Sequence, residues 1–262
     1  LGVVVEATMR LVRSPREQTV LVLGVPDMVA IMSVFSAYRS SMDLNAFEFF
    51  SDLALQKVVE QQNLQRPFAR RTGFYALLEI EQGDGRGLEQ AETLFEYCVE
   101  QGWVHDGVVS QSVAQAESLW RLREDISETI SRWTPYKNDI STVVSRVPDF
   151  LAEVDSVVKD NYPGFEIIWF GHVGDGNVHL NVLKPDDLPM EAFQRRCGEV
   201  SQRVFEIVQH YGGSVSAEHG VGLLKKDYLH YSRSEQEISI MRQIKAAFDP
   251  QGIMTPGKIF DS

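Results

Sequence analysis

The chain has 262 residues, 44% hydrophobic and 24% charged, an ordinary globular make-up for one large or two small domains. A formal net charge of −12 argues against nucleic acid or an anionic membrane as a main partner, yet a small anionic substrate stays compatible because a site's local charge can oppose the global one. No apolar run approaches a transmembrane span, and the two cysteines, Cys98 and Cys197, form no metal-spacing motif and fit a reducing, cytoplasmic setting.

Residues 1–12 alternate as a strand ending before Pro15. The opening Leu1-Gly2-Val3-Val4-Val5 has no initiating Met, so we read a start inside a strand, at which targeting information could have been lost. Gln18 to Val25 is a second strand, followed by Pro26 and a helical pattern through Met28, Ile31, Val34 and Phe35. Ala46 to Phe50 is a short strand, and Asp52 to Gln62 a helix with Ser51 as its N-cap. An Arg-rich loop, Gln65 to Thr72, precedes the strand Phe74 to Gln82. The run Gly83-Asp84-Gly85-Arg86-Gly87 reads as a flexible connector to the amphipathic helix Leu88 to Gln101, and Val104 to Val109 is a strand.

The helix Ala116 to Trp133 contains an arginine on its apolar side. At about 100° per residue, Leu119, Leu122, Ile126, Ile130 and Trp133 share one arc. Arg123 falls within it, Ser127 lies one turn further on that side, and Arg121 and Arg132 point away. An inward arginine needs a partner. A structural salt bridge meets that need, and so does a substrate carboxylate, which matches the planar guanidinium fork. Lys137, entering the next strand, is either solvated or a second carboxylate contact.

After a helix from Val147 to Asp160 comes Trp169 to Val182, whose β-branched and aromatic ends flank Asp175-Gly176, a dipeptide favoured in type I′ hairpin turns. With those two at the turn, Gly174 faces Asn177, Val173 faces Val178, and His172 faces His179 with Cβ atoms about 4.5–5.5 Å apart. Two imidazoles so placed can share one metal ion or simply form a structural pair. Asn181 shares their face. The helix Met190 to Tyr211 stops at Gly212-Gly213 and leads to Ser214-Val215-Ser216-Ala217-Glu218-His219-Gly220. Glu218 would complete two neutral imidazoles and a carboxylate, a donor set common for catalytic divalent metals. The last helix ends at Phe248, and the tail after Asp249-Pro250 docks back on the domain. Recurring strand–helix–strand units with hairpin signals indicate an α+β fold: an antiparallel or mixed sheet with helices mainly on one face.

The stretches Gly171 to His179, Glu218-His219-Gly220, and Phe248-Asp249-Pro250 with Pro256-Gly257-Lys258 together resemble the C-terminal domain of FAD-linked oxidases. That group contains D-2-hydroxyglutarate dehydrogenase, D-lactate dehydrogenase and the glycolate oxidase D subunit. The resemblance implies a ferredoxin-like substrate (cap) domain over residues 1–262, with 1–14 as the strand that follows an FAD-binding domain. It implies FAD held mainly by that other domain, a divalent metal, zinc by preference, on His172, His179 and Glu218, and Asn181 and His219 lining the substrate pocket. It places Arg123, Ser127 and Lys137 on substrate carboxylates. Ser127 stands where the 2-hydroxyglutarate branch has Thr, and Thr255 where Asn commonly precedes Pro-Gly-Lys. The expected chemistry is oxidation of a D-2-hydroxy acid to a 2-oxo acid, with His219 as base, and an inactive chain when the flavin domain is missing. A metal-dependent hydrolase and a non-enzymatic small-acid binding module are the rival readings. Which hydroxy acid is used, the downstream electron acceptor, and a homodimer stay open.

Overall fold

Seven strands form a single antiparallel sheet in the computed structural model of the chain, which describes residues 1–11, 18–81 and 86–261. In chain order the elements are β1 (Gln18–Val25), α1 (Met28–Ser41), β2 (Leu44–Ser51), α2 (Asp52–Gln62), β3 (Phe74–Glu81), α3 (Gly87–Glu100), β4 (Asp106–Val109), α4 (Val113–Glu124) and α5 (Ile126–Ile130). There follow β5 (Tyr136–Ser141), α6 (Val147–Asn161), β6 (Ile167–Gly171), β7 (Asn177–Val182), α7 (Met190–His210) and α8 (Glu235–Phe248). The strand order is β4-β1-β3-β2-β6-β7-β5.

That order contains one motif twice. The path β1-α1-β2-β3-α3-β4, arranged 4-1-3-2 in the sheet, is the split βαβ of a ferredoxin-like unit, with α2 inserted between its middle strands. The path β5-α6-β6-β7-α7 repeats it, and an isolated antiparallel bridge between Ser141 and Ser214 stands where a fourth strand would pair with β5. The two units join edge to edge through β2 and β6 at only two registered pairs, Phe49 with Gly171 and Phe50 with Phe170. No sequence repeat announces this duplication, because each unit needs only the same alternation of apolar positions.

The crossover helices of both units lie on one face. Ile31, Val34 and Tyr38 of α1, Ala91 and Cys98 of α3, Phe150 and Val154 of α6, and Val204 and Phe205 of α7 share a core with Leu23, Phe49, Leu78 and Leu180. This is the loading expected of a sheet covered mainly on one side. A smaller core on the opposite face joins Leu55 and Val58 of α2, Leu119 and Leu122 of α4, and Ile126 and Ile130 of α5 to Val22, Phe50, Leu77 and Phe170. Strands covered on both faces are buried almost throughout, as β1 and β3 are.

Local signals set most element ends. The Ser51 hydroxyl accepts from the Ala54 N–H at the start of α2, as expected, and Ser112 does the same for Gln115 at the start of α4. The single helix expected over 116–133 is instead α4, a break at Asp125, and α5 followed by a 3-10 turn. Residues 1–11 pair with no strand of the described sheet and are exposed, so the alternating pattern there finds no neighbour to complete its ladder. The expected strand's remaining residues, 12–14, and most of the glycine-rich connector lie outside the described residues. The tail docks back as expected. The Asp249 carboxylate accepts from the backbone N–H groups of Ile253 and Met254, Arg242 covers the Phe260 ring, and Lys226 pairs with Asp261. Among the described residues no helix is long and apolar enough to cross a membrane.

Candidate metal and substrate site

The site lies on the seam between the two units, on the face opposite the crossover helices. The β6–β7 hairpin differs from the expected one. Phe170 pairs with His179 and Trp169 with Leu180, a slip of two residues, and residues 173–175 form a 3-10 turn. A type I′ turn needs positive φ at both central residues, but only Gly176 has it, at 77°. A Cβ there would sit 2.0 Å from the Thr142 carbonyl oxygen, so the position also requires glycine for space. Because side chains alternate with period two, a slip of two leaves every residue on its expected face. His172, now in the turn rather than opposite His179, still reaches it, with ring centroids 5.7 Å apart.

Each imidazole is held by a carboxylate on its Nδ1 side. His172 Nδ1 is 2.7 Å from Glu48 Oε1 on β2, and His179 Nδ1 is 2.7 Å from Asp139 Oδ1 on β5, the residue registered opposite it. Both rings therefore keep Nε2 available. His172 Nε2 lies 3.7 Å from Glu218 Oε1, and the donor atoms of His172, His179 and Glu218 fall within 4.8 Å of one another. Metal–ligand bonds of about 2.0–2.2 Å in a tetrahedral site put donors roughly 3.4 Å apart, so this set fits a divalent ion after small side-chain adjustment. A second triplet, Asp139, His179 and His219, is equally close, but an ion there would compete with the short Asp139–His179 hydrogen bond.

Glu218 and His219 come from the loop between α7 and α8, which reaches His172 and, on β5, Asp139. It is tied down by the Ser141–Ser214 bridge, by Val215 N–H donating to Ser232 Oγ, and by Lys225 Nζ donating to Asn138 Oδ1. Ala217 adopts a left-handed φ of 37°, turning the chain so that Glu218 faces His172 and His219 faces Asp139, with His219 Nε2 3.7 Å from Asp139 Oδ2. Burial opposes ionisation of Asp139. The hydrogen bond to His179 and the charges of His179, His219 and Lys225 outweigh it and hold its pKa below the usual range.

Arg123 is buried, as its position in the apolar arc implies, and its partner is internal. Its Nε and Nη2 each lie 3.0 Å from Glu48 Oε2, and its guanidinium covers the Phe170 ring. Nη1 makes no hydrogen bond among the described residues. Asn181 is 1% exposed, yet its Nδ2 has no acceptor among the described residues, an orphan amide that a ligand oxygen would satisfy. Lys137, exposed, is registered opposite Asn181 and therefore shares its face. Ser127 does not continue the buried side of Arg123; past the break at Asp125 it is exposed. A cavity of about 480 Å³ opens beside this cluster, lined by Glu48, His172, Arg39 and Asn45 among others.

Sequence reasoning missed Glu48, Asp139 and Lys225. Glu48 had a signal: an acid on the inner face of Ala46-Phe47-Glu48-Phe49-Phe50. Asp139 had none, since its role depends on β5 pairing with β7.

The hydrogen bond to Glu48 lifts the His172 pKa above its ordinary value, with burial and Arg123 opposing. A metal requires the neutral ring, so the proton competes from a higher pH than usual. Metal affinity should be full above the His172 pKa and start falling, as pH drops, above the ordinary histidine value of about 6.5. A titration of metal binding against pH checks this; loss confined to the carboxylate range, near pH 4, would contradict it.

The family model described as "FAD linked oxidases, C-terminal domain" matches residues 14–259. The chain belongs to this family. It is 59% identical over 260 residues to a D-2-hydroxyglutarate dehydrogenase of Stutzerimonas stutzeri, covering 99% of this chain and 56% of that protein. It is 48% identical over 262 residues to a D-2-hydroxyglutarate dehydrogenase of Xanthomonas citri, covering 100% and 55%. The chain thus spans about half the length of the curated relatives it matches. Among solved structures, p-cresol methylhydroxylase with substrate bound superposes with a TM-score of 0.62 at 13% identity, covering 95% of this chain and 54% of that one, a likeness of fold alone.

Proposed function

We propose that this chain is the metal- and substrate-binding part of a flavin-dependent dehydrogenase that oxidises a D-2-hydroxy acid, with D-2-hydroxyglutarate as the first candidate, to the 2-oxo acid. The observation that carries the reading is the convergence of His172, His179 and Glu218 beside the unpartnered Asn181 amide. The membership of the family and the identity to D-2-hydroxyglutarate dehydrogenases support the choice of reaction. We assign FAD mainly to a part of the protein beyond these residues, in keeping with relatives about twice as long. The buried free cysteines Cys98 and Cys197 suit a reducing compartment such as the cytoplasm, where we place the protein.

When bound, the divalent metal, zinc by preference, supplies Lewis acidity toward the substrate hydroxyl, and the flavin supplies the hydride acceptor. His172 and His179 would hold the metal through Nε2, and Glu218 through its carboxylate. Glu48 and Asp139 fix the two rings from behind, the usual arrangement for metal-binding histidines. Asn181 Nδ2 donates to a substrate oxygen. Arg123 Nη1 and the Lys137 ammonium attract the carboxylates, which orients C2 and its hydrogen away from the sheet. His219, exposed on its loop, accepts the hydroxyl proton as the C2–H bond gives up its electron pair and the carbonyl forms.

The test is anaerobic flavin reduction in the protein as its gene encodes it. D-2-hydroxyglutarate should bleach the flavin, more slowly when deuterated at C2, and the L-enantiomer should not. Cleavage of an added ester or amide substrate, with no bleaching by the hydroxy acid, would favour a metal hydrolase, and binding of the hydroxy acid without bleaching a non-enzymatic acid-binding module.

A further inference from the structure

Glu48 is a buried acid with both carboxylate oxygens engaged. It interrupts a phenylalanine-rich strand and is 6% exposed, an environment in which an unpaired carboxylate is strongly disfavoured. Its two oxygens have different partners. Oε1 meets His172 Nδ1 at 2.7 Å, and Oε2 meets both Nε and Nη2 of Arg123 at 3.0 Å. A purely structural Glu–Arg pair would leave Oε1 to water or a backbone amide. Here it is spent on a ring whose other nitrogen faces Glu218.

We propose that Glu48 is a positioning residue that couples the metal site to the acid clamp, so that metal binding and hydroxy-acid binding strengthen each other through it. The inference rests on the metal and substrate reading given above. The spacing of the two oxygens within one carboxylate is invariant, so the His172 ring and the Arg123 guanidinium cannot move independently. Accepting the Nδ1 hydrogen sets the His172 tautomer and leaves the Nε2 lone pair for the metal. Accepting Nε–H and Nη2–H turns the guanidinium edge-on to Glu48 and leaves Nη1 for a substrate oxygen. Phe170 completes the frame, since Arg123 covers its ring at 4.7 Å and the His179 ring lies against it, tilted by 37°, at 4.8 Å.

Glutamine is the informative replacement because it keeps the shape but has one acceptor oxygen. If that oxygen serves His172, the amide NH2 meets the Arg123 donors; if it serves Arg123, the NH2 faces His172 Nδ1, which must then accept, and the ring proton moves to Nε2, the nitrogen meant for the metal. In the full-length protein, Glu48→Gln should raise the Kd for Zn2+, measured by chelator competition, by about 10–100-fold. At saturating Zn2+ it should also raise KM for D-2-hydroxyglutarate about tenfold, with a smaller change in kcat. Arg123→Met should raise KM in the Glu48 protein and add little in the Glu48→Gln protein, because the two act through one contact. Unchanged Zn2+ affinity in Glu48→Gln, or KM effects that simply multiply, would overturn the coupling. If wild-type protein takes no Zn2+, the metal reading falls and the coupling with it; if wild type and Glu48→Gln bind Zn2+ alike, the coupling alone falls. Should Glu48→Gln fail to fold, Glu48→Asp keeps the charge but is one methylene short of spanning both partners, and the same readouts should move in the same directions.

Discussion

Alanine in place of His172 should remove metal and turnover together. The ring contributes Nε2 to the candidate donor set, and among the described residues Glu218 is the ion-pairing partner on that side. With two donors left, a divalent ion loses a third of its protein ligands and the Lewis acidity that lowers the hydroxyl pKa, worth several kcal/mol and therefore about 10³-fold or more in kcat/KM. The fold should persist, because the ring is partly exposed and Glu48 keeps both contacts from Arg123. Metal content and turnover measured on the same sample, with a thermal melt beside them, check this. Turnover that survives in metal-free protein would show that the hydroxyl is activated by His219 without a Lewis acid.

Arg123→Ala should be the most destabilising single change near the site. It strips Glu48 of two charge-assisted hydrogen bonds, and removing one partner of a buried ion pair costs about 3–5 kcal/mol. It also empties the space over Phe170. Arg121 is the control on the same helix. Its pair with Asp125 is a half-exposed i,i+4 contact, so Arg121→Ala should cost about 0.3–0.5 kcal/mol. Arg123→Lys should not recover the loss, since one ammonium cannot present the fork that meets Glu48 Oε2 twice. Urea midpoints for the three variants decide it, and equal midpoints for Arg121→Ala and Arg123→Ala would mean that Glu48 is solvated.

What could be read from the chain was mostly what is local. Ser51 announced the start of α2, the apolar runs gave β1 and β3, and the inward phase of Arg123 followed from helical geometry alone. The two histidines were placed on one face because parity survives a slip of two, although the turn around Gly176 is of another type. What depends on tertiary pairing stayed hidden. Nothing near Asp139 says that β5 lies against β7, and nothing near Ser127 says that the helix breaks at Asp125. The duplicated ferredoxin-like unit is likewise invisible, because its two copies share a pattern of burial rather than residues.

The account depends most on three side chains sharing one ion. X-ray absorption at the zinc edge of the zinc-loaded protein, repeated on His172→Ala and Glu218→Gln, tests this directly. The account predicts stoichiometric metal with two imidazole nitrogens and a carboxylate oxygen at about 2.0–2.2 Å in the wild type, and loss of that signature in each variant. A zinc environment unchanged by either substitution, or one without histidine scattering, would contradict it.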